Sequence, residues 1–130
     1  MKVGEVFNGK IIDIALDPFP FNGCTTTFEA LKMGVPVVTL LGRHFVDRAA
    51  ASIVTHAGYP EFVVSTKEAY VDLAKSLAGN FDALNERRLS IRDNLFRSDI
   101  CDEGPYCKNV EAAYRDMWAT WCETGSYRGK

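Results

Sequence analysis

Three short, apolar, β-branched runs alternate with helical segments along the first half of the chain, and this alternation restricts the fold more than any other feature. Ile11–Leu16 (IIDIAL) ends at Asp17-Pro18, Val35–Leu41 (VPVVTLL) carries Pro36 near its start, and Glu61–Val64 (EFVV) closes the series. Runs this short and this continuously apolar read as buried strands of a parallel sheet. Between them, Thr25–Met33 reads as a helix closed by Gly34, and the Ala-rich stretch Phe45–Ala57 as a second, closed by Gly58. The order is βαβαβ. Right-handed crossovers turn that order into a three-layer, Rossmann-like α/β sheet, in which ligands bind off the carboxyl ends of the strands.

The second half reads as helical. Ser65 with Glu68 has the spacing of a capping box, and it opens a helix whose Tyr70, Val71, Leu73, Ala74, Leu77 and Ala78 keep helical spacing up to Gly79. Phe81–Phe96 is a second amphipathic stretch, with Arg87, Arg88 and Arg92 on a solvated face. Arg97–Pro105 reads as a loop. Tyr106–Glu123 is a last helix with Val110, Ala113, Tyr114, Met117, Trp118 and Trp121 on or near one side. Tryptophans at that spacing read as core packing rather than as a ligand cage. The expected organisation is therefore 1–64 as the βαβαβ unit, 65–123 as helices and 124–130 as a polar tail. Three strands are few for a whole doubly wound domain, so the expectation is the later part of one, entered in mid-sheet.

Charge and cysteine usage exclude several classes. With 15 basic and 17 acidic residues the net charge is -2, and neither sign collects into a block, so neither a nucleic acid nor a membrane is expected as partner. Cys24, Cys101, Cys107 and Cys122 contain no Cys-x-x-Cys pair and lie far in sequence from His44 and His56, so no metal site is expected. Reduced thiols, the lack of an apolar signal segment and the lack of a run near ~20 apolar residues all read as cytoplasmic.

The chemistry is expected in the loop after the first strand. Asn22-Gly23 permits a sharp turn, and the helix start that follows offers the amides of Cys24, Thr25 and Thr26 together with two threonine hydroxyls. Such an end suits a phosphate. Glu29, one turn later on the same face, is placed to accept hydrogen bonds from a diol such as a ribose. The same spacing is equally met by an ordinary helix with Thr25 as its N-cap and Glu29 near the positive end. Neither a Walker loop nor a G-x-G-x-x-G fingerprint is present.

Glu29–Val38 (EALKMGVPVV) resembles the E-A-x-x-x-G-x-P-V-V segment in the C-terminal domain of two-Rossmann-domain (GT-B) glycosyltransferases. Leu16-Asp17-Pro18, Asn22–Thr26, Asp47–Ser52 and the MWATWCETG stretch more particularly resemble the O-linked N-acetylglucosamine transferase and SPINDLY family. The resemblance implies a partial C-terminal GT-B domain that binds a UDP-sugar donor (UDP-N-acetylglucosamine) at Asn22, Gly23, Cys24, Thr25, Thr26 and Glu29. The threonines would lie against the diphosphate and Glu29 would meet the ribose. Cys24 stands where animal members carry a His, Glu29 where they carry an Asp, and Glu5 near where the family places a further His.

It also implies inverting transfer to Ser or Thr hydroxyls of a protein, no cofactor and no metal, and no catalytic residue within this chain. An N-terminal catalytic domain and tetratricopeptide repeats would belong to the parent protein. The isolated segment would be inactive, and its last helix could support a homo-oligomer. Three other readings stay open: a GT-B transferase with another donor and acceptor, a non-catalytic interaction module on a degenerate transferase domain, and a receiver-like signalling domain, against which this sequence has no acidic pair ahead of its first strand and no lysine closing a later one.

Overall fold

The computed structural model of the chain describes residues 12–126. Its elements run β1 (Ala15–Leu16), α1 (Thr25–Lys32), β2 (Val37–Leu40), α2 (Ala49–His56), β3 (Val63–Val64), α3 (Lys67–Ala78), α4 (Phe81–Arg97) and α5 (Glu103–Thr124). Short 3-10 turns occupy Phe45–Asp47, Pro60–Phe62 and Asp99–Cys101.

The strands form a parallel sheet in the order β1-β2-β3, with Ala15 opposite Val37, Leu16 opposite Val38 and Thr39 opposite Val63. Val37, Val38 and Thr39 are all buried. Because successive strand residues face opposite sides, both faces of β2 are covered, and the sheet is the middle of three layers. Strand order follows chain order, so right-handed crossovers put α1 and α2 on one face. α3 packs on β2 and β3, and α4 packs on α1 and α3. Leu31, Val35, Val38, Val54, Phe62, Ile91 and Leu95 form the centre of the core. Gly34 joins α1 to β2 at φ 74°, and a Cβ there would lie 2.7 Å from the Arg88 carbonyl oxygen, so close helix approach and left-handed backbone both require glycine.

The strands are shorter than the apolar runs. Ile11 lies outside the described residues, as does Glu5; Ile12 and Ile14 pack against the core without joining the ladder. The Ala15 N–H donates to the Pro36 carbonyl and the Asp17 N–H to the Val38 carbonyl, each at 2.9 Å. The next rung toward the N-terminus would need an N–H from Pro36, which has none. Burial on both faces holds for β2 but not at the two edges, where Leu16 is 56% exposed and β3 half-buried.

The expected helix Phe45–Ala57 divides at Arg48 (φ -127°), where the backbone leaves helical geometry after the turn held by Asp47. Thr66, not Ser65, caps α3: its hydroxyl oxygen accepts the Ala69 N–H at 3.1 Å. This puts Glu68 one residue out of register for a capping box. The expected loop Arg97–Pro105 is largely helical. α5 starts at Glu103 because the Asp102 carboxylate accepts the Gly104 N–H at 3.2 Å, and Pro105 falls in the first turn, where no N–H is needed.

α5 also corrects the reading of its tryptophans. None of its side chains is buried; Tyr114, Met117 and Trp118 are exposed, Trp118 at 64%. The helix meets the rest of the chain mainly through the turn Asp99–Cys101 and runs on past the core, so its apolar stripe stays open among the described residues. It ends at Gly125 (φ 65°), and residues 127–130 of the expected polar tail lie outside the described residues.

Candidate functional site

The sequence between β1 and α1 folds into a turn organised by one buried carboxylate. Asp17, 4% exposed, is the first residue after β1. Its Oδ1 accepts the Gly23 N–H at 2.8 Å, its Oδ2 accepts the Thr39 hydroxyl of β2 at 2.7 Å, and its carbonyl accepts the Tyr70 hydroxyl of α3 at 2.9 Å. Burial pushes the Asp17 carboxyl above its ordinary value of 3.8, outweighing the bonds from Gly23 and Thr39 that act the other way. Burial, and then the nearby Asp17 charge, push the Tyr70 hydroxyl up from 10.0.

The sign of the first shift gives a testable pH effect. A carboxyl that holds its proton more tightly when folded stabilises the fold at pH below 3.8, and that contribution is lost as pH rises through the folded value. Asp17→Asn removes the titration, so the gap in Tm between variant and wild type shifts in favour of the variant as pH rises from 3.8. Thermal melts across that window check this, and a constant gap would contradict it.

Asn22 is buried at 4% exposure. Its backbone N–H donates to the Val46 carbonyl at 2.9 Å and its Nδ2 to the Pro18 carbonyl at 3.2 Å, while its Oδ1 is buried without a partner among the described residues. The bond to Val46 ties this turn to the loop after β2, so the carboxyl ends of both strands meet here. Gly23 is half-buried, and Cys24, Thr25 and Thr26 are exposed.

Cys24 is the N-cap of α1 and provides no side-chain cap; Thr25 is the first helical residue, so the alternative with Thr25 as cap is not what forms. The N–H groups of Cys24, Thr25, Thr26 and Thr27 have no partner among the described residues, and the Phe28 N–H is the first to bond back, to the Cys24 carbonyl at 3.1 Å. The three threonines divide their work. Thr27 is buried in the core, leaving Thr25 and Thr26 at the surface. Glu29 is half-buried, one turn on from Thr25, and unpaired among the described residues. This is an uncapped helix end with surplus donors and a carboxylate beside it.

Other titratable groups stand apart. Arg43 and His44 are exposed on the loop after β2, where the His44 N–H donates to the Asp47 carboxylate. Arg48 Nη1 reaches the Gly42 carbonyl at 3.3 Å, so it ties α2 to that loop as its position suggests. His56 Nδ1 bonds the Ser52 carbonyl at 2.8 Å within α2. A cleft of about 460 Å³ opens beside α2 between Leu41, Phe45, Ser52 and Thr55, and none of the residues from Asn22 to Glu29 lines it. Among the described residues no cluster of His, Cys, Asp or Glu could hold a metal ion, and no helix is long and apolar enough to cross a membrane.

The loop residues Asn22 to Glu29 were legible as a group, because they are contiguous. Asp17, five residues before Asn22, does not stand out with that group. The available signal was a lone acidic residue directly after a strand and six before a helix-opening glycine turn, an arrangement in which a carboxylate can reach the turn amide.

Comparison with known proteins gives the family of the chain. The model of Glycosyl transferase family 41 matches residues 1–110. A probable UDP-N-acetylglucosamine–peptide N-acetylglucosaminyltransferase SPINDLY of Hordeum vulgare is 40% identical over 117 residues, which is 90% of this chain and 12% of the relative. A UDP-N-acetylglucosamine–peptide N-acetylglucosaminyltransferase of Caenorhabditis elegans is 32% identical over 117 residues, 90% of this chain and 10% of its own length. The solved structure of a Thermobaculum terrenum O-GlcNAc transferase mutant superposes with a TM-score of 0.84 at 40% identity, covering 95% of this chain and 24% of the other. The chain thus spans about an eighth of the plant relative's length. The α/β reading with a GT-B-type parallel sheet holds. A family match over most of the sequence, with relatives and a solved structure in agreement, means that this chain belongs to glycosyl transferase family 41.

Proposed function

We propose that this chain is the donor-nucleotide-binding part of a glycosyltransferase that moves N-acetylglucosamine from UDP-N-acetylglucosamine to Ser or Thr hydroxyls of a protein, with inversion at the anomeric carbon. The observation that carries the reading is the end of α1, where the amides of Cys24 to Thr27 have no partner among the described residues and Thr25, Thr26 and Glu29 lie alongside. The relatives' names supply the donor and the peptide acceptor.

In this scheme the amides and the Thr25 and Thr26 hydroxyls face the diphosphate. The positive end of the helix dipole favours its charge, which grows as the bond to the sugar breaks. Groups fixed before the reaction stabilise that growing charge more than they stabilise the bound donor, which is the condition for lowering the barrier. Glu29 accepts the ribose hydroxyls and fixes where the nucleotide lies. No metal is required. Acceptor binding and proton removal fall to parts of the protein outside this chain, a preceding Rossmann domain and tetratricopeptide repeats, and these residues alone have no transferase activity.

Titrating UDP while following backbone amides by NMR tests the donor site. Shifts are expected on Gly23 to Glu29, with affinity reduced at least tenfold in Thr25→Ala/Thr26→Ala and in Glu29→Ala, since a hydrogen bond to a charged group contributes about 1.5–3 kcal/mol. Shifts that appear elsewhere, or that survive both variants unchanged, would contradict the assignment.

A further inference from the structure

We propose that Asp17 is the positioning residue of the donor site, its Oδ1 setting the turn before α1 through the Gly23 N–H while its Oδ2 ties that turn to β2 through Thr39. The inference rests on the donor-site reading above and concerns how the site keeps its shape.

The turn has few holds of its own. Between β1 and α1, among the described residues, Phe19 packs edge-on against Tyr70 at 5.5 Å between ring centroids, and the turn's hydrogen bonds are those of Asn22 to Pro18 and Val46 and of Gly23 to Asp17. Of these, only the Gly23 bond adjoins the helix start. Gly23 is also the last residue whose N–H is consumed inside the protein before the unpartnered series Cys24 to Thr27 begins. The carboxylate therefore holds the residue that immediately precedes the open series.

Asp17 is itself held from two directions, at its carboxylate and at its backbone carbonyl. The Thr39 hydroxyl comes from the central strand, 22 residues away in sequence, and the Tyr70 hydroxyl of α3 takes the Asp17 carbonyl. The bonds of Asp17 thus reach β2, α3 and the turn, and burial removes water as a competing partner.

The two oxygens predict separable effects, and this distinguishes positioning from ordinary support of the fold. Asp17→Ala frees the Gly23 amide; Asp17→Asn keeps a carbonyl oxygen for it; Thr39→Val removes only the partner of Oδ2. At a UDP concentration that half-saturates the wild type, Asp17→Ala is expected to show about a fifth or less of the wild-type shifts, a tenfold loss of affinity. Asp17→Asn should return to within about threefold of wild type, and Thr39→Val, which loosens the carboxylate but leaves Oδ1 on the Gly23 amide, should lower Tm and lose clearly less UDP affinity than Asp17→Ala. Independently of UDP, hydrogen exchange at the Gly23 amide should be slow in the wild type and in Asp17→Asn and fast in Asp17→Ala.

Wild-type affinity in Asp17→Ala, or equal losses in all three variants, would overturn the positioning role while leaving the donor site standing. Absence of UDP shifts in the wild type, with Gly23 exchange behaving as described, would overturn the donor-site reading and with it the purpose assigned to Asp17.

Discussion

Replacing Phe62 with alanine should lower the stability of the chain by about 3–5 kcal/mol, the range for a fully buried aromatic. Phe62 is 0% exposed and lies in the turn that joins α2 to β3. Its ring stacks on Tyr59 with centroids 5.5 Å apart, and the Arg87 guanidinium of α4 lies 5.7 Å from its centroid while pairing with Glu61 at 3.2 Å. Truncation leaves a cavity between the sheet and α4 and removes the surface on which Arg87 rests. Domains of this size carry about 5–15 kcal/mol in total, so the loss takes a large share, and Tm should fall by roughly 10–20 °C. Phe62→Leu keeps most of the volume and should recover at least half of the loss. A drop of only a degree or two in Phe62→Ala would mean that the core around this turn closes over the missing ring.

Gly23→Ala should damage the donor site more than it damages the fold. A Cβ at position 23 would lie 2.5 Å from Thr26 Oγ1, 2.9 Å from Thr27 Oγ1 and 3.1 Å from Asp17 Oδ1. The exposed Thr26 hydroxyl can rotate away, but it then leaves the place assigned to the diphosphate. Thr27 and Asp17 are buried and have no such freedom. The turn must shift, and the amides after it shift with it. The expected result is at least a tenfold weaker UDP titration with a Tm only a few degrees lower, because the core packing of α1 through Ala30 and Leu31 is untouched. UDP affinity equal to wild type in this variant would remove the turn from the binding site.

These effects fall where sequence and structure agree to different degrees. β2 and α1 were legible because their signals are local: a continuous apolar run, and a helical segment bounded by Asn22-Gly23 and Gly34. β1 was overestimated because the limit on its length sits in another strand, at Pro36, and no pattern within Ile11–Leu16 records it. The break at Arg48 was hidden by good helix formers on both sides, and the tie through Asp47 that makes it is visible only in three dimensions. Gly104-Pro105 looked like a breaker, yet within a first turn the missing proline N–H costs nothing. At the site, contiguous residues from Asn22 to Glu29 could be read together, whereas the partner that immobilises Asp17, Thr39, lies 22 residues on.

The exposure of α5 also decides how this protein looks to a spectrometer. The sequence has only two tryptophans, Trp118 and Trp121, and both are on that helix. Indole emission therefore reports the surroundings of α5 and is nearly blind to the sheet, α1 and Phe62. Quenching or a blue shift signals that something has covered the last helix, while the loss of the core passes largely unseen in that channel and has to be followed through backbone circular dichroism.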